Sequence, residues 1–129
     1  MIKIERLHHI AIICNDYEKS KKFYTEILGF KIESEIYREE RKSFKLDLSL
    51  NGIYLIELFS FPNPPKRNTN PESTGLRHIA FEVLNIEESI QILMRKKIIT
   101  EPVRIDEITN KKFTFFTDPD KLPIELYEK

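Results

Sequence analysis

The chain has 129 residues, of which 40% are apolar and 11% aromatic, so it can bury one domain-sized core but hardly two large ones. Its 21 basic and 21 acidic side chains cancel, which removes the net field that steers proteins to nucleic acid or anionic lipid. A small molecule is therefore the expected partner, and neither nucleic acid nor a membrane is.

The first half of the chain predicts one strand, one helix and three further strands. Leu7 to Cys14 is a short Ile-rich run bounded by charge, which is typical of a strand buried on both faces. Asp16 is a good N-cap for the helix that follows, and Gly29 supplies its C-terminal stop. The three predicted strands lie at 30–37, 43–50 and 53–61. Asn51-Gly52 is a hairpin turn pair between the second and the third of them.

The second half repeats this order. Leu76 to Leu84 reads as a strand, and Asn85 as the N-cap of a helix that ends near Lys97. The turn D-P-D-K at 118–121 joins the last two of three strands, which are predicted at 100–105, 112–117 and 122–127.

Superposing the halves reveals an internal duplication. His9 and His78 are 69 positions apart, and Glu57 and Glu125 are 68 apart. At this offset H-I-A-I-I-C-N-D overlays H-I-A-F-E-V-L-N, and Y-L-I-E-L overlays L-P-I-E-L. Each half is therefore a βαβββ module with one histidine on its first strand and one glutamate on its last.

The duplication also sets the domain organisation. The segment between the modules carries four of the seven prolines, which donate no ladder hydrogen bonds and keep the chain extended. The prediction is a single α+β domain made of three parts: module 1 at about 5–61, a Pro-rich connection at 62–75, and module 2 at about 76–129.

The four repeated residues predict a metal site. A lone histidine on a strand has an ordinary explanation as a core residue with satisfied ring nitrogens. The glutamates fit that explanation poorly, because their strands are rich in apolar residues and a buried carboxylate needs a partner. A divalent metal shared by His9, Glu57, His78 and Glu125 explains all four, and such an N₂O₂ set suits Zn, Ni, Co, Fe or Mn. The strand pleat would then point His8 away from the metal.

Three stretches carry a family resemblance: H-I-A-I-I-C-N-D-Y-E-K-S-K-K-F-Y-T-E-I-L-G-F, G-L-R-H-I-A-F and D-P-D-K-L-P-I-E-L. In register with the repeated His and Glu, they resemble the vicinal oxygen chelate superfamily, and within it the glyoxalase I (lactoylglutathione lyase) type. The resemblance implies that the paired modules curl into a half-barrel around one divalent metal. It also implies that the ligand places fall on His9, Glu57, His78 and Glu125.

The resemblance implies a chemistry as well. Extradiol dioxygenases and fosfomycin-modifying transferases resemble this layout but use two histidines and one glutamate, and methylmalonyl-CoA epimerases place a glutamine where Glu57 stands. All four residues together favour isomerisation of a hemithioacetal of a 2-oxoaldehyde such as methylglyoxal, through an enediolate. Glu125 would be the base that takes the C–H proton, with Glu57 as its counterpart.

The thiol cosubstrate is not indicated by the sequence. Glutathione-using glyoxalases carry an arginine four residues after the first histidine ligand and an asparagine four after the first glutamate ligand, where this chain has Ile13 and Phe61. Arg38 or Arg41 could supply other anion contacts, although a solvated strand end and turn is the favoured explanation for them. Lys45 and Asp47 could line the cavity.

Two classes of function therefore remain open. One is a metal-dependent lyase or isomerase, and the other is a metal-containing binding or resistance protein that does not turn its ligand over; a thioltransferase or dioxygenase is a more distant third. Short relatives in this superfamily often form homodimers, so a homodimer is expected. The single cysteine, Cys14, fits a reducing compartment, and with no apparent signal peptide the expected location is cytoplasmic.

Overall fold

A computed structural model describes all 129 residues. The chain divides into two compact units, Met1–Pro65 (unit 1) and Lys66–Lys129 (unit 2). This boundary falls inside the predicted Pro-rich connection, so each predicted module lies within one unit.

Unit 1 has the predicted βαβββ order, in which a π-helical turn at Phe23–Ile27 extends the helix. Its sheet has the strand order β1-β4-β3-β2, with β1 parallel to β4 and the other neighbours antiparallel. The elements are β1 (Ile10–Cys14), α1 (Tyr17–Lys22), β2 (Lys31–Arg38), β3 (Ser43–Leu50) and β4 (Ile53–Ser60).

Unit 2 repeats the topology, with the strand order β5-β8-β7-β6 and β5 parallel to β8. The elements are β5 (Ile79–Val83), α2 (Ile86–Arg95), β6 (Arg104–Ile105), β7 (Lys112–Thr117) and β8 (Pro123–Glu128). The α+β class and the βαβββ repeat are therefore confirmed.

The predicted helix caps and hairpin turn are present in the structure. The Asp16 carboxylate accepts the Lys19 backbone N–H at 3.1 Å, and Asn85 caps α2 in the same way, an interaction that stabilises a helix by about 1 kcal/mol. Asn51 and Gly52 both have positive φ, 51° and 78°, as a tight hairpin turn of the primed type requires.

Two predictions about strands are wrong. The first strand begins at Ile10, not at Leu7, and it is buried on one face only, since Ala11 is exposed and Ile13 is 55% exposed. In module 2 the strand predicted at 100–105 is reduced to β6, because Pro102 has no N–H for the ladder.

Each sheet has one apolar face and one open face. In unit 1 the helix covers the apolar face, where the Tyr17 ring of α1 stacks on Phe44 of β3 with centroids 4.2 Å apart. Leu46 and Ile56 on that face are fully buried. Alternation along β3 and β4 sends Asp47 and Glu57 to the opposite face, which we call the open face.

A three-residue cluster ties α1 to β2. Lys21 Nζ lies 2.6 Å from Glu35 Oε2, and the Tyr17 hydroxyl donates to the same oxygen. The hydrogen bond from Lys21, followed by that from Tyr17, lowers the pKa of Glu35 below its ordinary value of 4.5. Burial, together with the nearby carboxylate, raises the pKa of the Tyr17 hydroxyl, so Tyr17 stays a donor.

This cluster predicts a pH dependence of stability. Because the folded-state pKa of Glu35 is lowered, its contribution is present above the ordinary carboxyl pKa and is lost as the pH falls through the lowered value. We expect Glu35→Gln to lower the free energy of unfolding at neutral pH by a few tenths to about 1 kcal/mol, and to flatten its decline in acid. Urea unfolding at a series of pH values measures this, with Glu26→Gln as the exposed control. Parallel curves for wild type and Glu35→Gln would contradict it.

Candidate functional site

Unit 1 brings His9 and Glu57 together on its open face. The parallel pairing of β1 with β4 places Ala11 beside Glu57, and His9 lies two residues before Ala11. His9 Nε2 is 3.8 Å from Glu57 Oε2, and the two side chains are 35% and 15% exposed. Residues 48 positions apart in the chain thus meet because the first and last strands of the module are neighbours.

Polar side chains surround Glu57, which corrects the prediction of an apolar setting. The Tyr54 hydroxyl donates to Glu57 Oε2 at 2.9 Å, and Lys45 Nζ lies 3.7 Å from the same oxygen. Tyr54 and Lys45 also contact Asp47, each at 3.2 Å. Burial, followed by the hydrogen bond to Glu57, raises the pKa of Tyr54, so its hydroxyl remains a donor to the carboxylate.

These residues line a cleft of about 490 Å³ within unit 1. Lys45 and Asp47 are among its lining residues, as the sequence suggested, and Glu33, Ser34 and Gly52 complete its wall. The cleft is large enough for a small molecule and polar enough to orient one.

Unit 2 brings the second pair, His78 and Glu125, together in the same way. The register of β5 with β8 places Ala80 beside Glu125, and His78 Nε2 is 3.1 Å from Glu125 Oε2. The side chains are 28% and 14% exposed. The Phe115 and His78 rings are perpendicular, with their centroids 5.1 Å apart.

The two pairs have different surroundings although their backbones are equivalent. Asp47 pairs with Glu57 across the sheet of unit 1, and Phe115 pairs with Glu125 at the corresponding place in unit 2. Glu57 has polar neighbours in Tyr54 and Lys45, whereas His78 is the polar side-chain partner of Glu125. The carboxylate of Glu57 therefore has several polar side-chain partners, and that of Glu125 has one.

The residues before the two histidines contact them directly, which contradicts the prediction that His8 points away. His8 Nδ1 and His9 Nδ1 are 2.8 Å apart, and Arg77 Nη1 lies 3.0 Å from His78 Nδ1. The pleat does not apply here because β1 begins at Ile10, after both histidines. Arginine cannot accept a hydrogen bond, so His78 Nδ1 is the acceptor and its proton lies on Nε2, facing Glu125.

The donor chemistry and spacing of each pair fit a divalent metal. Ligands about 2.1 Å from one ion are about 3.0 Å apart at a right angle and about 4.2 Å apart when opposite, and both N···O distances lie in this range. Within each unit, no group of three or more His, Cys, Asp or Glu side chains could hold a metal ion, and one His–Glu pair is present. For Nε2 of His78 to serve as a ligand, the ring proton would have to lie on Nδ1, which could then no longer accept from Arg77.

Other residues singled out in the sequence lie at the far end of the open face of unit 1. Ile13 pairs with Phe59, and the Phe59 and Phe61 rings stack 5.8 Å apart. The Arg38 guanidinium lies over both rings and donates to Ser43, and that of Arg41 lies over Phe61. The Arg38 Nε is buried without a hydrogen-bond partner.

Sequence reasoning missed Tyr54, although a signal for it was present. In the overlay of Y-L-I-E-L on L-P-I-E-L, Tyr54 aligns with Leu122, three residues before the repeated glutamates. A polar residue on only one copy indicates that the two glutamates have different partners. Cys14 is a buried small side chain.

Removing the Tyr54 hydroxyl tests whether it positions Glu57. We expect Tyr54→Phe to weaken divalent metal binding by about 10-fold, because residues that orient a ligand typically matter by 10- to 100-fold. Calorimetric titration with Zn²⁺ or Ni²⁺ measures this. Tyr37→Phe, at an exposed ring, is the matched control, and equal affinities for both variants would contradict the role of Tyr54.

No helix in the structure is both long and apolar enough to cross a membrane.

The chain is 62% identical to the uncharacterized protein YwkD of Bacillus subtilis, over 98% of each chain. It is 48% identical, with a TM-score of 0.89, to the crystal structure of a glyoxalase family protein from Enterococcus faecalis, over 96% of this chain and 98% of that one.

A more distant relative is the lactoylglutathione lyase of Schizosaccharomyces pombe. It is 30% identical over 94% of this chain, which matches 46% of that protein's length. The sequence profile of the Glyoxalase/Bleomycin resistance protein/Dioxygenase superfamily matches residues 6–126, nearly the whole chain. With the duplicated βαβββ fold, this match establishes that the chain belongs to the Glyoxalase/Bleomycin resistance protein/Dioxygenase superfamily.

Proposed function

We propose that this protein is a metal-dependent lyase or isomerase of glyoxalase type, acting on a hemithioacetal of a 2-oxoaldehyde such as methylglyoxal. One observation carries the proposal: in each unit the repeated histidine and glutamate face each other at a distance suited to one metal ion. The relative in Schizosaccharomyces pombe, whose name is lactoylglutathione lyase, supports the same class.

The proposed ligands are His9, Glu57, His78 and Glu125, for one Ni, Co, Zn, Fe or Mn ion. When bound, a divalent metal stabilises the negative charge that develops on the substrate's neighbouring oxygens as the C–H proton leaves. Glu57 is suited to a fixed role, because Tyr54 and Lys45 hold its carboxylate.

Glu125 is proposed as the base. Its carboxylate has one polar side-chain partner and an aromatic neighbour, so it can turn toward a substrate carbon without breaking several hydrogen bonds. It takes the proton from the carbon that bears the sulfur and returns a proton to the adjacent carbon. The product is a 2-hydroxy thioester, an isomer of the hemithioacetal, so no oxidant or reductant is needed.

The test is turnover of methylglyoxal with a panel of thiols, including glutathione, cysteine and coenzyme A, after reconstitution with Ni²⁺, Co²⁺, Zn²⁺ or Mn²⁺. We expect one metal and one thiol to give thioester formation, followed by ultraviolet absorbance. If the metal-loaded protein forms no thioester from methylglyoxal with any of these thiols, the proposal is wrong.

The second candidate is a metal-containing binding or resistance protein without turnover. One observation favours it: at the two positions where glutathione-using glyoxalases have an arginine and an asparagine, the exposed Ile13 and the Phe61 ring supply neither a charge nor an amide. We also propose that the chain forms a homodimer in the cytoplasm. Light scattering after gel filtration tests the oligomeric state.

A further inference from the structure

A second cavity, of about 380 Å³, lies within unit 2 and is not part of the cleft described above. One wall is the segment 67–77, which leads into the His78 strand, and the other includes the end of β7. Thr69 Oγ1 donates to the Lys121 carbonyl at 2.9 Å, which fixes this segment against the turn between β7 and β8. The cavity is therefore built by the fold of the unit and is not a gap beside a loose chain.

The charged residues of its wall leave a net positive charge. Arg77 pairs with Glu72 at 2.7 Å, and Arg104 pairs with Glu101 at 3.0 Å. Arg67, the third arginine of the wall, has no carboxylate partner. Three arginines against two glutamates leave one positive charge, and it resides on Arg67.

Neutral groups hold the Arg67 side chain in place without neutralising it. Its Nη2 donates to the carbonyls of Leu76 and Arg77 at 2.6 and 3.0 Å, and its Nε donates to Thr69 Oγ1 at 3.1 Å. These bonds use the Nε and Nη2 donors, so the two N–H groups of Nη1 remain to donate to an oxygen of a carboxylate or phosphate group. The amide side chains of Asn68 and Asn70 supply further donors in the wall.

The cavity adjoins the second His–Glu pair. Phe115 lines the cavity, faces the His78 ring and pairs with Glu125 in the sheet. Arg77 lines the cavity as well and contacts His78 Nδ1. A ligand that is anchored at Arg67 can thus extend past Phe115 toward the pair.

We propose that this cavity binds the anionic end, a carboxylate or phosphate, of the small molecule that reacts at Glu125. That the bound molecule is the substrate rests on the function proposed above, whereas binding of the anion itself does not. Contacts to this anion would serve in place of the glutathione contacts that Ile13 and Phe61 do not provide.

The experiment is calorimetric titration of the complete protein with inorganic phosphate and, separately, with succinate, which distinguishes the two chemistries. We expect one of them to bind wild type, and Arg67→Gln to weaken it by about 10- to 100-fold, the usual effect of losing a charged hydrogen-bond partner. Arg67→Lys retains the charge and should lose less. Lys66→Gln removes the same charge one residue earlier, outside the cavity wall, and should bind as wild type does.

Arg67 also holds backbone carbonyls, so circular dichroism checks that Arg67→Gln is folded. Should it unfold, Arg104→Gln removes one positive charge at an exposed ion pair and is expected to weaken binding several-fold. Failure of both anions to bind wild type, or equal binding by Arg67→Gln and Lys66→Gln, would overturn the inference. If the anion binds in a manner that depends on Arg67 but the protein forms no thioester, the anion site is supported and only the proposed lyase function is wrong.

Discussion

Glu125→Gln should leave the fold intact and lower kcat for the proposed isomerisation by about 10²- to 10⁴-fold, the contribution of a general base. Glutamine has the same shape and still offers an oxygen beside His78, but it cannot take a proton from carbon. The measurement is thioester formation with saturating metal and thiol adduct, and circular dichroism verifies the fold. Bound metal is determined in the same samples, so that lost metal is not mistaken for lost chemistry.

The control is Glu107→Gln, which removes one carboxylate from an exposed turn and should retain full activity. Glu57→Gln provides a second comparison. Because Tyr54 and Lys45 hold Glu57 in place, we expect its replacement to reduce metal content more than it reduces kcat per bound metal. Undiminished turnover by Glu125→Gln would remove Glu125 from the role of base.

His9→Ala and His78→Ala should each weaken metal binding by more than about 100-fold, because loss of a ligand exceeds the 10- to 100-fold loss typical of residues that only orient one. Each variant leaves one carboxylate without its imidazole neighbour. Metal content after dialysis, with titration of the apoprotein by Ni²⁺ and Zn²⁺, measures the change without reference to activity.

His8→Ala is the matched control in this series. Its ring contacts His9 and lines the same cleft, so we expect an intermediate loss of about 10-fold. If His8→Ala and His9→Ala lose metal equally, or if His78→Ala loses none, the four-ligand assignment is wrong.

Local sequence signals predicted the parts of the fold that depend on few residues. Asp16 and Asn85 cap their helices, and Asn51-Gly52 forms its turn, because each acts on backbone groups within four residues. The duplication likewise predicted one histidine and one glutamate in each module, and these two side chains lie side by side in each unit. The metal that the two pairs are proposed to share stays a prediction.

What the sequence did not indicate depends on neighbouring strands. The contact of Glu57 with Lys45 is one example, since only the register of β3 with β4 makes these two residues neighbours. His8 was predicted on the wrong side because the start of β1 was placed three residues too early. Arg67 gave no signal, since its position follows from the path of an irregular segment.

The parallel pairing of the first and last strands has a consequence for the order in which each module folds. His9 and Glu57, like His78 and Glu125, can approach only after the helix and hairpin between them have formed, and contacts between residues so distant in the chain carry the largest loop-closure cost. A nascent or partly unfolded module would therefore hold its imidazole and carboxylate apart and bind metal poorly. Metal affinity should accordingly be sensitive to destabilising substitutions in the cores under α1 and α2, at positions that touch no ligand.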